Sequence, residues 1–85
     1  MGTTRTGGGM QVKEGAAIRR RRQRLGLSQR DLAYLCRPCS QTTIYLLETG
    51  RMATLSSGLA LRIAKRLDVE VEVLFDERPA RVGAR

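Results

Sequence analysis

Histidine and tryptophan are absent from this 85-residue chain, and its aromatic content is one Phe and two Tyr. Without His there is no usual general base, no commonest metal ligand and no Ser–His or Cys–His nucleophilic pair. So few aromatics argue against a platform that stacks unpaired bases. No apolar run approaches the length that crosses a bilayer, and the N-terminal segment lacks an apolar signal core. The expected location is therefore the cytoplasm, where two cysteines are not expected to form a structural disulfide. Acidic residues are scarce over most of the chain. Residues 1–66 hold 13 basic and 3 acidic groups, a net of +10, whereas residues 67–85 hold 3 and 5, a net of −2.

What is present is an Arg-rich, helix-forming composition. Fourteen of the 16 basic residues are Arg, and 41% of the chain is hydrophobic, enough for the core of one small domain. The planar guanidinium suits phosphates and guanine edges. A positive body with a pI near 11 points to a polyanion, nucleic acid ahead of an anionic membrane. No catalytic constellation, cofactor motif or small-molecule site is legible, so an enzyme is not expected.

Three stretches are expected along the chain. Residues 1–12 read as a Gly/Thr-rich flexible arm, 13–77 as the folded domain and 78–85 as a basic, frayed tail. Within the domain, a first helix runs from about Glu14 to Leu25 and stops at Gly26, with Ile18, Arg22 and Leu25 on one face. Ser28 caps a second helix, with Asp31 in the capping-box position, and Arg37-Pro38 ends it. Ser40 opens a third helix through Glu48, closed by Thr49-Gly50. A fourth starts at Thr54 or Ser56 and continues to Leu67. Val69-Glu-Val-Glu-Val-Leu-Phe75 alternates like a strand. A lone strand has no partner, so a short fifth helix packing Val71, Leu74 and Phe75 is expected instead. The fold class expected is all-α.

Two short helices joined by a tight turn, the second entered through Ser40-Gln-Thr-Thr43, make a helix-turn-helix pattern. The segments Leu25-Gly26-Leu27-Ser28-Gln29-x-x-Leu32-Ala33, Ile44-x-x-Leu47-Glu48-x-Gly50-Arg51 and Ile63-Ala64-x-x-Leu67-x-Val69 follow in order. Over about Ala17 to Phe75 the chain resembles the lambda-repressor-like (Cro or XRE-type) helix-turn-helix family. The resemblance implies a compact five-helix domain that lays its third helix in the major groove of operator DNA. It also implies phosphate contacts from Gln29 and Arg51, further base-facing positions at Thr42 and Leu46, and a buried ion pair between Arg22 and Glu48. The departure from the pattern is the turn. From Ala33 to Ile44 it is one residue longer than usual, and Arg37-Pro38 replaces the customary glycine.

Helical geometry assigns faces without the family. At 100° per residue, Ile44, Leu47 and Glu48 share one side of the third helix, and Thr42, Tyr45, Leu46 and Thr49 the other. Gln41, at the helix start, can donate to and accept from adenine, or serve as a second cap behind Ser40. If the longer turn rotates the helix, that readout passes to Thr42 or Tyr45. Leu46 reads either as a contact to a thymine methyl or as an ordinary exposed leucine. Ser40 and Thr43 read as phosphate contacts or caps. Arg19, Arg20, Arg21 and Arg24 are left for phosphate or solvent once Arg22 is placed inward. Cys36-Arg-Pro-Cys39 lacks the further ligands zinc needs and the context of a redox motif. Cys36 is read as core filling and Cys39 as a turn residue.

The function expected from all this is a double-stranded DNA-binding regulator. A repressor of the compact Cro-like kind found in phage, prophage or plasmid systems fits the length best. The alternative is an antitoxin or adaptor that uses the same fold to cover a protein partner, docking through Asp68–Glu77. A homodimer on a two-fold operator stays open, with Val71, Val73 and Phe75 supplying the interface or else closing the monomer's core.

Overall fold

The computed structural model describes residues 9–77. Helix α1 covers Gly15–Arg24, α2 Gln29–Leu35, α3 Gln41–Thr49, α4 Ser57–Arg66 and α5 Val71–Leu74. Three short strands accompany them: β1 Met10–Val12, β2 Thr54–Leu55 and β3 Phe75–Glu77. The core is a single cluster drawn from all five helices. Ile18, Leu32, Ile44, Leu47, Ile63, Leu67 and Phe75 are each at most 1% exposed.

Local chemistry explains the helix boundaries. The Ser28 hydroxyl accepts from Asp31 N and the Asp31 carboxylate accepts from Ser28 N, both at 2.9 Å, which completes a capping box on α2. The Ser40 hydroxyl accepts from Thr43 N and the Ser56 hydroxyl from Leu59 N, each at 3.1 Å. Gly26 and Gly50 take left-handed backbone angles, φ 74° and 83°, where the chain leaves α1 and α3. Two arginines close other helix ends. Arg21 donates to the carbonyls of Leu67 and Asp68, and Arg62 to that of Cys36.

An all-α description needs correction. β1 is the centre of a three-stranded antiparallel sheet, ordered β2-β1-β3, with Met10 opposite Leu55 on one side and Val12 opposite Phe75 on the other. The arm expected over residues 1–12 therefore does not include Met10–Val12, and the expectations for residues 1–8 and 78–85 lie outside the described residues. Three residues carry too little periodicity to announce a strand, and the partner of the alternating segment lies some sixty positions away. The short helix expected there does form at Val71–Leu74. The chain then straightens at once, and Phe75 serves both core and sheet.

Two smaller expectations also shift. Leu25 is 41% exposed because the helix has already ended at it (φ −88°, ψ 2°), so the inward spacing no longer applies. Of the three residues offered as an interface, Phe75 is buried and Val71 half-buried, leaving only Val73 well exposed.

Candidate nucleic-acid interface

The foundation of α3 is a buried charge network. Arg22 Nε donates to Glu48 Oε2 at 2.6 Å and Arg22 Nη2 to Glu48 Oε1 at 3.0 Å, a two-pronged pair. Arg22 Nη1 donates to the Leu27 carbonyl at 2.7 Å, and Gln29 Nε2 to Glu48 Oε1 at 3.1 Å. The two charged side chains are 9% and 2% exposed. Charges this deep persist only when paired and hydrogen-bonded, and here each of the three guanidinium nitrogens donates one hydrogen bond. The network ties α1, the α1–α2 turn and α2 to the underside of α3.

A second clamp lies at the start of α1. A Cβ placed on Gly15 would stand 2.4 Å from the Leu47 carbonyl oxygen and 2.6 Å from that of Glu48. Only glycine permits this approach of α1 to the end of α3. The sequence offered no periodic signal for it, because a glycine in the first helical turn reads simply as a weak helix former.

Above this base, α3 presents its other side. Gln41, Thr42 and Thr49 are exposed, and Tyr45 is 44% exposed. The cap is filled by Ser40, whose hydroxyl also lies 3.1 Å from that of Thr43, so Gln41 is not needed there. Ser40 and Thr43 are thus engaged with each other at the rim. Leu46 is half-buried rather than standing out, since the chain beyond Gly50 folds back and Met52 N donates to the Leu46 carbonyl at 3.0 Å. The Thr49 hydroxyl turns back to the Tyr45 carbonyl at 2.9 Å. Arg51 is exposed immediately after the αL glycine.

The arginines of α1 divide between two flanks. Arg19 borders a hollow with Gln23, Gln29, Tyr45 and Thr49, beside the exposed side of α3. Gln23, one turn after Arg19, joins this hollow and was not singled out by the sequence. Its signal was the i, i+4 spacing. Arg20 lies on the other flank, 3.5 Å from Glu14 and facing α5 rather than α3. Gln29 keeps one amide hydrogen on Glu48, which leaves the second for an outside acceptor.

Both cysteines are free thiols. Cys36 is fully buried at the end of α2, and burial pushes its thiol up to about 11, with the neighbouring Cys39 adding to the rise. Cys39, in the turn, is half-buried and raised by the same desolvation. Among the described residues no group of three or more His, Cys, Asp or Glu could hold a metal ion, and no helix is long and apolar enough to cross a membrane.

Comparison with known proteins agrees with this architecture. Searches of curated proteins and of solved structures each found no match. A family described as a helix-turn-helix domain matches residues 15–77, which takes in every helix from α1 to α5. With the two-helix unit seated on its buried ion pair and the match covering most of its length, this chain belongs to the helix-turn-helix domain family, whose fold is a DNA-binding one.

Proposed function

We propose that the chain is a sequence-specific regulator of double-stranded DNA that inserts α3 into the major groove and represses by occupying its operator, as a small Cro-like protein of phage, prophage or plasmid type. The observation that carries this reading is the two-sidedness of α3. Ile44, Leu47 and Glu48 are locked below, while Gln41, Thr42 and Tyr45 stand free above. Gln41 reads a base edge, Thr42 and Tyr45 supply the neighbouring contacts, and the half-buried Leu46 edge meets a thymine methyl. Arg51, Arg19, Gln29, Ser40 and Thr43 form the phosphate-contacting rim, with Gln23 beside Arg19. Arg20, on the far flank, takes no part in it.

The net charge of +8 supports a strong non-specific component, so affinity alone does not test readout. Selection of bound duplexes from a random pool does. Enrichment of a defined motif of a few base pairs is expected, bound at least a hundredfold more tightly than its shuffled version near physiological salt. Recovery of unrelated sequences with equal affinity would leave only a basic DNA-coating protein.

A further inference from the structure

The small sheet bears directly on the turn that follows α3. Between Gly50 and Thr54 the chain makes the turn that carries Arg51, and this turn is held at two points. On the helix side, Met52 N donates to the Leu46 carbonyl at 3.0 Å. On the sheet side, the Ala53 carbonyl accepts from Val12 N at 2.8 Å, and Thr54 and Leu55 then run beside Gln11 and Met10. β2 is two residues long and lies at the edge of the sheet, so among the described residues β1 is its only strand neighbour. β1 is itself fixed independently of the turn. Its other edge pairs with β3, where Val12 stands opposite Phe75, which is 1% exposed in the core. Lys13 N donates to the Leu74 carbonyl at 3.0 Å, and Gly15 lies against the Leu47 and Glu48 carbonyls of α3. Residues 10–15 thus form a strap tied to the core and to α3, with Val12 holding Ala53.

We propose that β1 is a brace for the phosphate-contacting turn, with Val12 as a positioning residue that presents Arg51 to the DNA backbone already ordered. The role of Arg51 rests on the DNA reading above, whereas the bracing of the turn does not. Arg51 is exposed and enters no salt bridge among the described residues, so the backbone of the turn sets where its guanidinium begins. A two-residue strand has too few ladder bonds to hold that backbone unaided. The gain is entropic. A turn that must be ordered on binding loses affinity, about tenfold for the backbone of one residue, whereas a turn tied to the core is ordered by folding. Gln41 sits at the opposite end of α3, so the choice of base does not depend on the brace.

Three full-length variants give the test. Val12→Pro removes the donor to Ala53, and Val12→Ala keeps it while shortening the side chain. Met10→Asp opens the strand from its far end, at a half-buried position, and gives the result independently if Val12→Pro does not fold. Each variant is checked by circular dichroism and measured well below its melting temperature. Without DNA, NMR follows exchange of the Met52 amide against that of Leu67, which is bonded at 2.9 Å at the end of α4 and reports global opening. The ratio is expected to rise about tenfold in Val12→Pro and Met10→Asp and to stay near wild type in Val12→Ala. With DNA, the two strand-opening variants are expected to bind selected and mismatched duplexes about tenfold more weakly. Their salt slope should fall toward that of Arg51→Ala, with sequence choice intact. Added to Arg51→Ala, they should weaken binding no further. A ratio unchanged in both strand-opening variants overturns the proposal. So do unchanged affinity and slope, or a full further loss on top of Arg51→Ala. If Arg51→Ala itself leaves the slope unchanged, the DNA reading of Arg51 fails, and the Met52 amide alone decides whether β1 holds the turn.

Discussion

Replacement of Glu48 by Ala removes the carboxylate that accepts from Arg22 Nε, Arg22 Nη2 and Gln29 Nε2. The guanidinium stays in place with the Leu27 carbonyl as its remaining partner, in a site where its side chain is 9% exposed. Breaking one side of a buried pair costs about 3–5 kcal/mol, most of it the stranded charge rather than the lost attraction. Domains of this length have roughly 4–13 kcal/mol in total. At ~4–8 °C per kcal/mol, the melting temperature should fall by at least about 12 °C, and much of the population should be unfolded at 37 °C. The cause is separable from mere loss of contacts. The double variant Arg22→Met with Glu48→Leu removes both charges and keeps the volume, so it should recover to within about 1–2 kcal/mol of wild type. Urea unfolding followed at 222 nm measures all three proteins. A Glu48→Ala variant within about 1 kcal/mol of wild type would refute the argument, as would a double variant no better than the single one.

Gly15→Ala sets a clash against a propensity gain. Alanine in a helix is worth up to about 1 kcal/mol over glycine, but its Cβ meets two backbone oxygens of α3. The net expected is a loss of ~1–3 kcal/mol by thermal melting, and a gain would show that α1 can move off α3 freely. The thiols should react in order. Under native conditions at pH 8, iodoacetamide modifies Cys39 before the fully buried Cys36, and mass spectrometry of the digested protein reads the sequence of events. Because the folded Cys36 thiol is raised from 9.0 to about 11, its contribution to stability is whole below pH 9 and is lost as pH rises toward 11. A Cys36→Ala variant should lack this alkaline component. For Asp31 the sign is opposite. Bonds from Ser28 hold its carboxyl below the ordinary value, so the capping box stabilises above about pH 4 and is lost on acidification, an effect that Asp31→Asn should abolish in the melting profile.

Much of the molecule was legible because its signals are local. Ser28 with Asp31, Ser40, Ser56, Gly26 and Gly50 each act within four residues, and they marked the helix ends correctly. The face of α3 followed from the 100° step alone. What escaped is what depends on distant partners. Met10–Val12 become a strand only because Thr54–Leu55 and Phe75–Glu77 arrive on either side. Gly15 matters through a clash with residues more than thirty positions later. Arg20 and Arg21 looked equivalent to Arg19 in the sequence. Tertiary contacts sent one to an opposite flank and the other to cap α4. Leu46 shows the limit of a helical wheel, which does not include the chain that folds back over the helix.

The central claim is that α3 reads bases while its surroundings hold phosphates, and paired titrations of Gln41→Ala and Arg51→Ala test it most directly. Each variant is titrated against the selected duplex and a mismatched one at several salt concentrations. Arg51→Ala is expected to weaken both duplexes alike and to reduce the salt slope by about one unit. Gln41→Ala is expected to keep the slope and the mismatched affinity, and to lose roughly 1–3 kcal/mol on the selected site alone, with relaxed choice at one base pair. Equal losses on both duplexes for Gln41→Ala would contradict the account, because the start of α3 would then be holding DNA without reading it.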